Sequence, residues 1–275
     1  ASGLRVIHIP HHHAHASALA GEHPRVNKWL TFTWDGVGYG EDDSLWGGEA
    51  FAGTPGDWRR AASFRPFGLV GGDKVGREPW RSAAALMWEA GIEWQAPIEG
   101  AEVARQAWER NIARHESSAV GRLFDAAAAL ILDRNLASFE GQGPMELEQI
   151  AEDAMEAVDL PLAKDKFGVL RTDWAPLLPM LTDSSIPAPR RAGIFHETMA
   201  RGLVCQVQAC REQFEFEAVG LSGGVFQNKR LTERVVELLA EQGIPLHLHR
   251  DIPANDGGLS FGQIIEAQAL LEGES

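Results

Sequence analysis

The sequence predicts an α/β protein whose functional groups gather where strands run into glycine-rich turns. Three observations support this class. Short runs of β-branched and aromatic residues have the length and composition of strands. The last two of these runs are each followed by a turn and a helix, an order that favours parallel pairing. A long stretch of helical composition, from about residue 82 to 215, separates them from the first strands.

The N-terminal part combines strands with one histidine-rich helix. Predicted strands there lie at residues 4–10, 29–34 and 44–51. Pro10 ends the first strand, and a helix of histidine and alanine is expected to follow it. The second strand runs into Asp35-Gly36-Val37-Gly38-Tyr39-Gly40, and the third is its return in a hairpin. Residues 64–81, rich in glycine, proline and charge, are expected to be irregular.

Helices then dominate until the C-terminal part returns to strands. Predicted helices lie at residues 82–90, 101–115, 123–132, 145–158 and 191–210. Pro144 suits the first position of the fourth of these helices. Residues 217–221 and 245–249 then predict two buried strands, and each is followed by a glycine-containing turn and a helix.

Composition and charge exclude several classes of protein. The 275 residues are 44% apolar and 23% charged, with a formal net charge of -14, which disfavours binding to nucleic acid or to an anionic membrane surface. No apolar run approaches the roughly 18 residues of a membrane span, and the N-terminus shows no signal peptide. Cys205 and Cys210 lie on different faces of a predicted helix, which disfavours a disulfide. We therefore expect a cytoplasmic protein.

His11 and His15 are the first candidates for metal ligands. Four residues apart on a helix, they share one face about one turn apart, which lets two imidazoles bind one ion. The alternatives are a fragment of a purification tag or solvent-exposed histidines. A tag is usually an uninterrupted terminal run, whereas Ala14 interrupts this one. His12 and His13 point elsewhere on the helix and are expected beside the ligands or at the surface.

Two acidic residues would complete such a site. Asp35 and Asp256 each follow a predicted strand, where ligand sites of α/β folds gather. Neighbouring glycines such as Gly36 and Gly38 allow a ligand close to backbone N–H groups, although a plain Asp-Gly hairpin turn has the same composition. Imidazole nitrogens and carboxylate oxygens together suit zinc or iron(II) and leave positions open for a ligand.

A third glycine turn indicates an anionic ligand. Ser222-Gly223-Gly224 lies between a strand and a helix, so its N–H groups and the helix dipole can face an anion. Gly-Gly turns also serve plain packing. In combination with the two acidic turns, however, this one suggests a phosphate- or nucleotide-containing ligand that is bridged to a metal.

Nine motifs occur in order along nearly the whole chain: His11-His12-His13-Ala14-His15, Asp35-Gly36-Val37-Gly38-Tyr39-Gly40, Trp46-Gly47-Gly48-Glu49, Arg65-Pro66-Phe67, Gly71-Gly72-Asp73-Lys74, Arg77-Glu78-Pro79-Trp80-Arg81, Gly121-Arg122-Leu123-Phe124-Asp125, Ser222-Gly223-Gly224-Val225-Phe226-Gln227-Asn228 and Asn255-Asp256-Gly257-Gly258. Together they resemble the C-terminal, TsaD- and Kae-like carbamoyltransferase domain of the HypF family, which acts in maturation of nickel–iron hydrogenase. The related TsaD threonylcarbamoyl transferases and antibiotic O-carbamoyltransferases share the histidine pair but not the Arg-Glu-Pro-Trp-Arg stretch.

The resemblance implies an actin- and sugar-kinase-like (ASKHA) fold of two lobes, with a truncated N-terminal lobe and a helical insertion in the middle. The site would lie in the cleft between the lobes. Residues 1–81 would be the remainder of the N-terminal lobe, with the histidine motif and the Asp-Gly loop. Residues 82–215 would be a mainly helical insertion and lobe connection, and residues 216–275 a C-terminal α/β segment with the Ser-Gly-Gly and Asn-Asp-Gly-Gly turns.

The resemblance also implies ligands and the residues that hold them. A zinc or iron ion would be bound by His11, His15, Asp35 and Asp256, and would hold the phosphate of a carbamoyl-adenylate formed from ATP. The implied nucleotide-binding residues are Gly36, Gly38, Asp125, Gly143, Glu146, Ser222, Gly223, Gly224 and Asn228. Asp125 would bind the ribose, unless it is a solvated helix acid, and Glu148 is an alternative to Glu146 beside it. No catalytic residue is implied.

The implied activity is transfer of a carbamoyl group from carbamoyl-adenylate to the C-terminal cysteine thiol of a HypE-like protein, in synthesis of a cyanide ligand. One alternative is a docking fragment that binds nucleotide and metal without catalysis. Another is carbamoyl transfer to the hydroxyl of a small molecule. We expect the chain to lack the acylphosphatase-like, zinc-finger and YrdC-like domains with which the family forms the adenylate. We also expect it to lack the first strands of the N-terminal lobe, which favours the docking alternative for the chain alone.

Overall fold

The structure is a computed structural model that describes residues 6–273. Within this range nine strands were found: β1 (Trp29–Tyr39), β2 (Leu45–Thr54), β3 (Asp57–Phe64), β4 (Phe67–Val70), β5 (Arg114–Ser117), β6 (Leu162–Lys164), β7 (Leu170–Thr172), β8 (Ala218–Ser222) and β9 (Leu246–His247). They form one sheet in the order β6-β7-β3-β2-β1-β8-β9, in which β5 pairs with β2 and with β4. The first three strands pair antiparallel, whereas β1, β8 and β9 pair parallel. The α/β class is confirmed, and the sheet is mixed rather than wholly parallel.

Nine α-helices accompany the sheet in the described residues: α1 (His11–Glu22), α2 (Trp80–Glu89), α3 (Ala101–Glu109), α4 (Val120–Leu132), α5 (Gln142–Ile150), α6 (Leu177–Thr182), α7 (Ala188–Arg211), α8 (Lys229–Glu241) and α9 (Leu259–Gly273). Single turns of 3-10 helix lie at Gly72–Arg77, Gly224–Gln227 and Asp256–Gly258. Over residues 6–273 no helix combines the length and the apolar character that a membrane crossing needs.

Several predicted elements differ from the structure. The strand predicted at 29–34 continues to Tyr39, so Asp35 lies within β1 rather than in a turn after it. The strand predicted at 4–10 lies partly outside the described residues, and its remainder, 6–10, is irregular. The helix predicted at 101–115 ends at Glu109, because a separate strand, β5, begins at Arg114. The helix predicted at 145–158 begins at Gln142 and ends at Ile150, so Pro144 occupies its third position. The segment 64–81, expected to be irregular, contains strand β4.

Successive side chains of β1 point to opposite faces of the sheet, and the two faces pack against different hydrophobic clusters. Leu30, Phe32 and Trp34 join the main hydrophobic core with α4 and α7. Trp29 joins a second cluster with residues of α1. Strand β1 therefore separates two packed layers, and its end lies beside the histidine helix.

The sheet takes strands from all three segments that the sequence predicts. Strands β1 to β4 lie in 1–81, β5 to β7 in 82–215, and β8 and β9 in 216–275. The boundaries of these segments stay a prediction.

Candidate metal centre and adjoining cavity

Helix α1 positions two imidazoles at one end of the sheet. It begins directly after Pro10, whose carbonyl accepts the amide of Ala14. Its packing on α9 is close, since a Cβ added at Gly262 would lie 1.8 Å from the carbonyl oxygen of Ala14. Because His11 and His15 are four residues apart on this helix, their rings lie next to each other, edge to face, with centroids 4.9 Å apart. His15 is buried, whereas 22% of the His11 side chain is exposed.

Strand β1 supplies Asp35 at a break in its pairing. Its register with β2 shifts directly after Trp34, so Asp35 lies in a bulge rather than in the regular ladder. The amide of Gly224, in the turn after β8, donates to Asp35 Oδ1 at 3.1 Å. The other carboxylate oxygen remains available to the histidines.

The four predicted metal ligands come together although they belong to three distant segments. His11 Nε2 lies 3.0 Å from Asp35 Oδ2 and 3.5 Å from Asp256 Oδ1. His15 Nε2 lies 3.4 Å and 3.3 Å from the same two oxygens. One nitrogen or oxygen of each of the four residues lies within 4.8 Å of the others.

The chemistry of this cluster fits a divalent metal ion. His15 Nε2 is buried and has no hydrogen-bond partner, although a buried nitrogen normally has one. Burial opposes charge on His15, yet Asp256 and Asp35 outweigh it and raise its pKa. Burial likewise opposes charge on Asp35, yet His11 and His15 lower its pKa. Two imidazoles and two carboxylates are a donor set that zinc or iron(II) accepts.

A cavity of about 750 Å³ adjoins the cluster. Six predicted site residues lie on its wall: Asp35, Gly36, Asp125, Gly224, Asn228 and Asp256. Because 67% of the Asp256 side chain is exposed, the ligand cluster is open on one side. A ligand in the cavity can therefore reach the metal position.

A buried ion pair forms part of the cavity wall. Arg122 Nη1 donates to Asp125 Oδ2 at 2.6 Å, and Arg122 Nε donates to the carbonyl oxygen of Gly36 at 3.1 Å. Arg122 also pairs with Glu140. Burial raises the pKa of Asp125 to about 6, although the Arg122 charge opposes this. Asp125 is thus a buried wall residue, and the alternative of a solvated helix acid is excluded.

Both polar atoms of the Asn228 side-chain amide have a hydrogen-bond partner. Its oxygen accepts the amide of Leu231 at 2.9 Å and caps α8. Its nitrogen lies 3.0 Å from His196 Nε2, and His196 Nδ1 lies 2.8 Å from the carbonyl oxygen of Ala192. Since that carbonyl can only accept, His196 carries its proton on Nδ1 and accepts from Asn228. Burial lowers the pKa of His196 to about 4.

Several other predicted nucleotide-binding residues are not placed on the cavity wall. Gly38 lies against the rings of His11 and His12, and Gly143 lies against Ala128. Ser222 is fully buried behind the turn. Roles for these residues at a nucleotide stay predictions.

Gly223 has a backbone reason to be glycine. Its φ is +102°, and an added Cβ would lie 2.2 Å from the carbonyl oxygen of Trp34. This close approach lets the turn after β8 cross the end of β1, where Asp35 begins the bulge. It too lies off the cavity wall, and its predicted contact with the nucleotide stays a prediction.

The choice left open between Glu146 and Glu148 has a geometric answer in the cavity wall. Glu146 is held by Arg134 through two hydrogen bonds, of 2.7 and 2.9 Å, and does not line the cavity. Glu148 lines it and accepts the amide of Arg230 at 3.0 Å. Glu148 is therefore the carboxylate that a ligand in the cavity can reach.

The sequence did not indicate how deeply the neighbours of the ligands are buried. His12 and His13 are both buried, which excludes the surface and leaves the predicted position beside the ligands; the His12 ring centroid lies 5.0 Å from that of His11. Burial lowers the pKa of His12 to about 4, and His13 packs edge-on against Phe51. Arg122 could have been found, because it precedes Asp125 by three residues on one helix face.

Comparison with known proteins identifies the family. Residues 31–263 match the family described as "Carbamoyltransferase, Kae1-like Domain, second subdomain". The chain is 38% identical over 278 residues to Carbamoyltransferase HypF of Rhodobacter capsulatus, covering 98% of this chain and 36% of that protein. It is 33% identical over 273 residues to a Carbamoyltransferase HypF homolog of Cupriavidus necator, covering 93% of this chain and 69% of that protein.

Solved structures agree with these matches. A crystal structure of full-length HypF in the phosphate- and nucleotide-bound form has a TM-score of 0.90 at 29% identity, over 98% of this chain and 44% of that one. The crystal structure of T. kodakarensis HypF has the same fold, with a TM-score of 0.83 at 24% identity, over 98% and 38% of the two chains. The chain spans 36% of the length of HypF from R. capsulatus and of HypF2 from C. necator. The chain therefore belongs to the HypF carbamoyltransferase family and corresponds to its Kae1-like domain.

Proposed function

We propose that this chain transfers a carbamoyl group from carbamoyl-adenylate to the C-terminal cysteine thiol of a HypE-like protein, in the synthesis of the cyanide ligand for nickel–iron hydrogenase. The observation that carries the proposal is the adjacency of the four-residue ligand cluster and the 750 Å³ cavity in a chain of the HypF family. The phosphate- and nucleotide-bound form of a similar full-length structure supports a nucleotide as the occupant of the cavity.

The proposed reaction is a substitution at an activated carbonyl. The thiolate sulfur forms a bond to the carbamoyl carbon, and the bond from that carbon to the phosphate oxygen of AMP breaks. The thiol proton passes to solvent, and AMP leaves with the electron pair of the broken bond. Such a carbonyl needs chiefly orientation and charge neutralisation to react with a thiolate.

The residues of the cluster and the cavity wall suit these two requirements. A divalent zinc or iron ion held by the four ligands would neutralise the phosphate as AMP departs. Asp125 and Glu148 offer carboxylate oxygens to the ribose hydroxyls. Arg122 fixes Asp125 and the backbone of Gly36, and His196 fixes the Asn228 amide. These contacts orient the wall before a ligand enters.

The direct test supplies the purified chain with carbamoyl-adenylate and a HypE-like protein. Mass spectrometry of the intact partner then reports carbamoylation, and a partner whose terminal cysteine is replaced by serine is the control. We expect a carbamoyl adduct on the cysteine and release of AMP. An unmodified cysteine in a mixture that contains bound partner and nucleotide would refute transfer and favour the docking alternative. Transfer to a small hydroxyl compound instead would favour the other alternative.

We also propose that this reaction takes place in the cytoplasm and that its acceptor is a protein rather than RNA. The net charge of -14 supports a protein acceptor, because phosphate groups would be repelled. A gel-shift titration with tRNA at low salt tests this part, and saturable binding would contradict it.

A further inference from the structure

A chain of polar contacts leads from the metal ligand His15 to the end of its own helix. Ser222 Oγ lies 3.5 Å from His15 Nδ1, the ring nitrogen that does not face the two aspartates. His249 Nε2 lies 2.9 Å from the same Ser222 oxygen. His249 Nδ1 lies 2.6 Å from Glu22 Oε2. The chain thus runs Glu22, His249, Ser222, His15, and it ends at the cluster.

The order of Glu22, His249 and Ser222 is that of a catalytic triad, but burial excludes a nucleophilic serine. Ser222 has no exposed surface and does not line the cavity. The side chains of His249 and Glu22 are only 5% and 7% exposed. No substrate carbonyl can reach the Ser222 oxygen, so these groups act on His15 and not on a substrate.

The contacts allow only one arrangement of protons when His15 is a metal ligand. Glu22 Oε1 accepts the backbone amides of residues 250–252, at 2.7 to 3.2 Å. These amides and His249 outweigh the effect of burial and lower the pKa of Glu22, so it stays an ionised acceptor. Burial lowers the pKa of His249 and favours its neutral form, which donates from Nδ1 to Glu22 and accepts at Nε2 from the Ser222 hydroxyl. The Ser222 oxygen is left to accept from His15 Nδ1, which leaves the lone pair of His15 Nε2 free for a metal.

The same Glu22 carboxylate also holds the segment that carries Asp256. Residues 250–252, whose amides it accepts, lie four to six positions before that ligand. Glu22 is the last residue of α1, the helix that bears His11 and His15. One buried carboxylate therefore links the histidine pair to the loop of the fourth ligand.

We propose that Glu22, His249 and Ser222 are positioning residues, which hold His15 with its proton on Nδ1 and its Nε2 directed at a divalent metal. The inference deepens the proposed function and rests on His15 being a ligand. Groups that hydrogen-bond to a metal-bound histidine typically contribute 10- to 100-fold in metal affinity. Their loss is expected to weaken the metal site without removing a ligand.

The first test compares Zn²⁺ dissociation constants, measured by competition with a chelator, for two serine variants. Ser222→Ala removes the acceptor of His15 and should weaken Zn²⁺ binding roughly tenfold or more. Ser17→Ala is the matched control, because Ser17 is also fully buried, lies on α1 close to His15, and bonds Glu266 and Trp58 instead of a ligand. It should lower stability and leave the Zn²⁺ dissociation constant within about twofold. Equal affinities of Ser222→Ala and the unaltered chain would overturn the proposal.

The second test needs neither a variant nor a metal. A long-range ¹H–¹⁵N correlation spectrum of the metal-free chain at neutral pH reports which nitrogen of His249 carries the proton. We expect a protonated Nδ1 and an unprotonated Nε2, and the opposite tautomer would overturn the proposed chain. If the unaltered chain binds neither Zn²⁺ nor Co²⁺, the metal part of the proposed function fails, and this spectrum still decides whether the chain of hydrogen bonds exists as described.

Discussion

Two carboxylate sites adjoin the histidine motif, and they differ in how their charge is satisfied. Glu49 is completely buried and accepts from Arg60, from the hydroxyls of Ser63 and Ser118, and from two backbone amides. The ligand cluster has two carboxylates, Asp35 and Asp256, which lie within 3.5 Å of imidazole nitrogens and make no ion pair with an arginine or lysine among the described residues.

The difference teaches how to separate structural from functional acids in this fold. A buried carboxylate whose lone pairs are all taken by the protein stabilises the fold and has nothing to offer a ligand. A pair of carboxylates that face imidazoles, with one buried imidazole nitrogen lacking a hydrogen-bond partner, has capacity left for a cation. Mutations at the two sites should therefore separate stability from metal binding.

The largest effect on stability is expected at Glu49. Glu49→Ala removes the acceptor of Arg60 Nη2, of two hydroxyls and of two amides, although Arg60 Nη1 keeps Asp42, and it should cost about 3 kcal/mol in the free energy of unfolding. Urea denaturation measures this. Asp42→Ala, which removes the half-exposed partner of Arg60, is the control and should cost less than about 1 kcal/mol. Equal losses of unfolding free energy in Glu49→Ala and Asp42→Ala would contradict the structural role assigned to Glu49.

At the ligand cluster, substitutions should have a large effect on metal affinity and a small effect on stability. His11→Ala and Asp256→Ala should each weaken Zn²⁺ binding by roughly a hundredfold, since each removes one of four ligands, and stability without metal should change little. His13→Ala should lower stability, because this ring packs on Phe51, but leave Zn²⁺ binding nearly unchanged. Chelator competition and denaturation of the three variants give both quantities. Loss of metal in His13→Ala with retention in Asp256→Ala would mean that the ligand set is wrong.

His196, a buried and neutral histidine, should make the stability of the chain depend on pH. His196 has a pKa of about 4 in the folded chain, against an ordinary value of 6.5, because burial disfavours its charged form. Between these values the unfolded chain binds a proton that the folded chain does not, so stability falls as the pH is lowered. The fall from pH 6.5 to 4.5 should be roughly 2 kcal/mol. Denaturation curves of His196→Gln, which cannot titrate there, should lack this part of the slope, and an unchanged slope would contradict it.

The smallest effect expected distinguishes two glutamates on one helix. Glu148→Gln should weaken AMP binding roughly fivefold, about 1 kcal/mol, because a neutral amide oxygen is a weaker acceptor for a ribose hydroxyl than the carboxylate on the cavity wall. Glu146→Gln is the matched control, since Glu146 bonds Arg134 away from the cavity, and AMP affinity should stay the same. Calorimetric titration with AMP compares them. The reverse ranking would place the wrong glutamate at the ligand.

The ligand cluster could be predicted because its signals are local. His11 and His15 are spaced by one helical turn, and the two aspartates each follow a predicted strand and precede glycine. The α/β class followed from the alternation of strands and helices near the C-terminus, and it was confirmed. Each of these inferences used neighbours within a few residues.

The parts that could not be predicted depend on contacts between distant segments. The burial of His12 and His13 is set by packing on β2, and nothing in their own helix indicates it. The early end of α5 at Ile150 and the bonds of Ser222 to residues far along the chain are likewise tertiary. Glu49 follows two glycines in a strand, and its burial depends on donors from β3 and from the start of α4.

The central claim is that one metal ion at the four-residue cluster binds the phosphate of a nucleotide in the adjoining cavity. AMP affinity, measured by calorimetry with and without saturating Zn²⁺, tests it most directly, because two ligands that touch each other must change each other's affinity equally. We expect a Zn²⁺ concentration that just saturates the unaltered chain to tighten its AMP binding roughly tenfold or more, and the same concentration to have a much smaller effect in Asp256→Ala. An AMP affinity that is the same with and without Zn²⁺ in the unaltered chain would contradict the account.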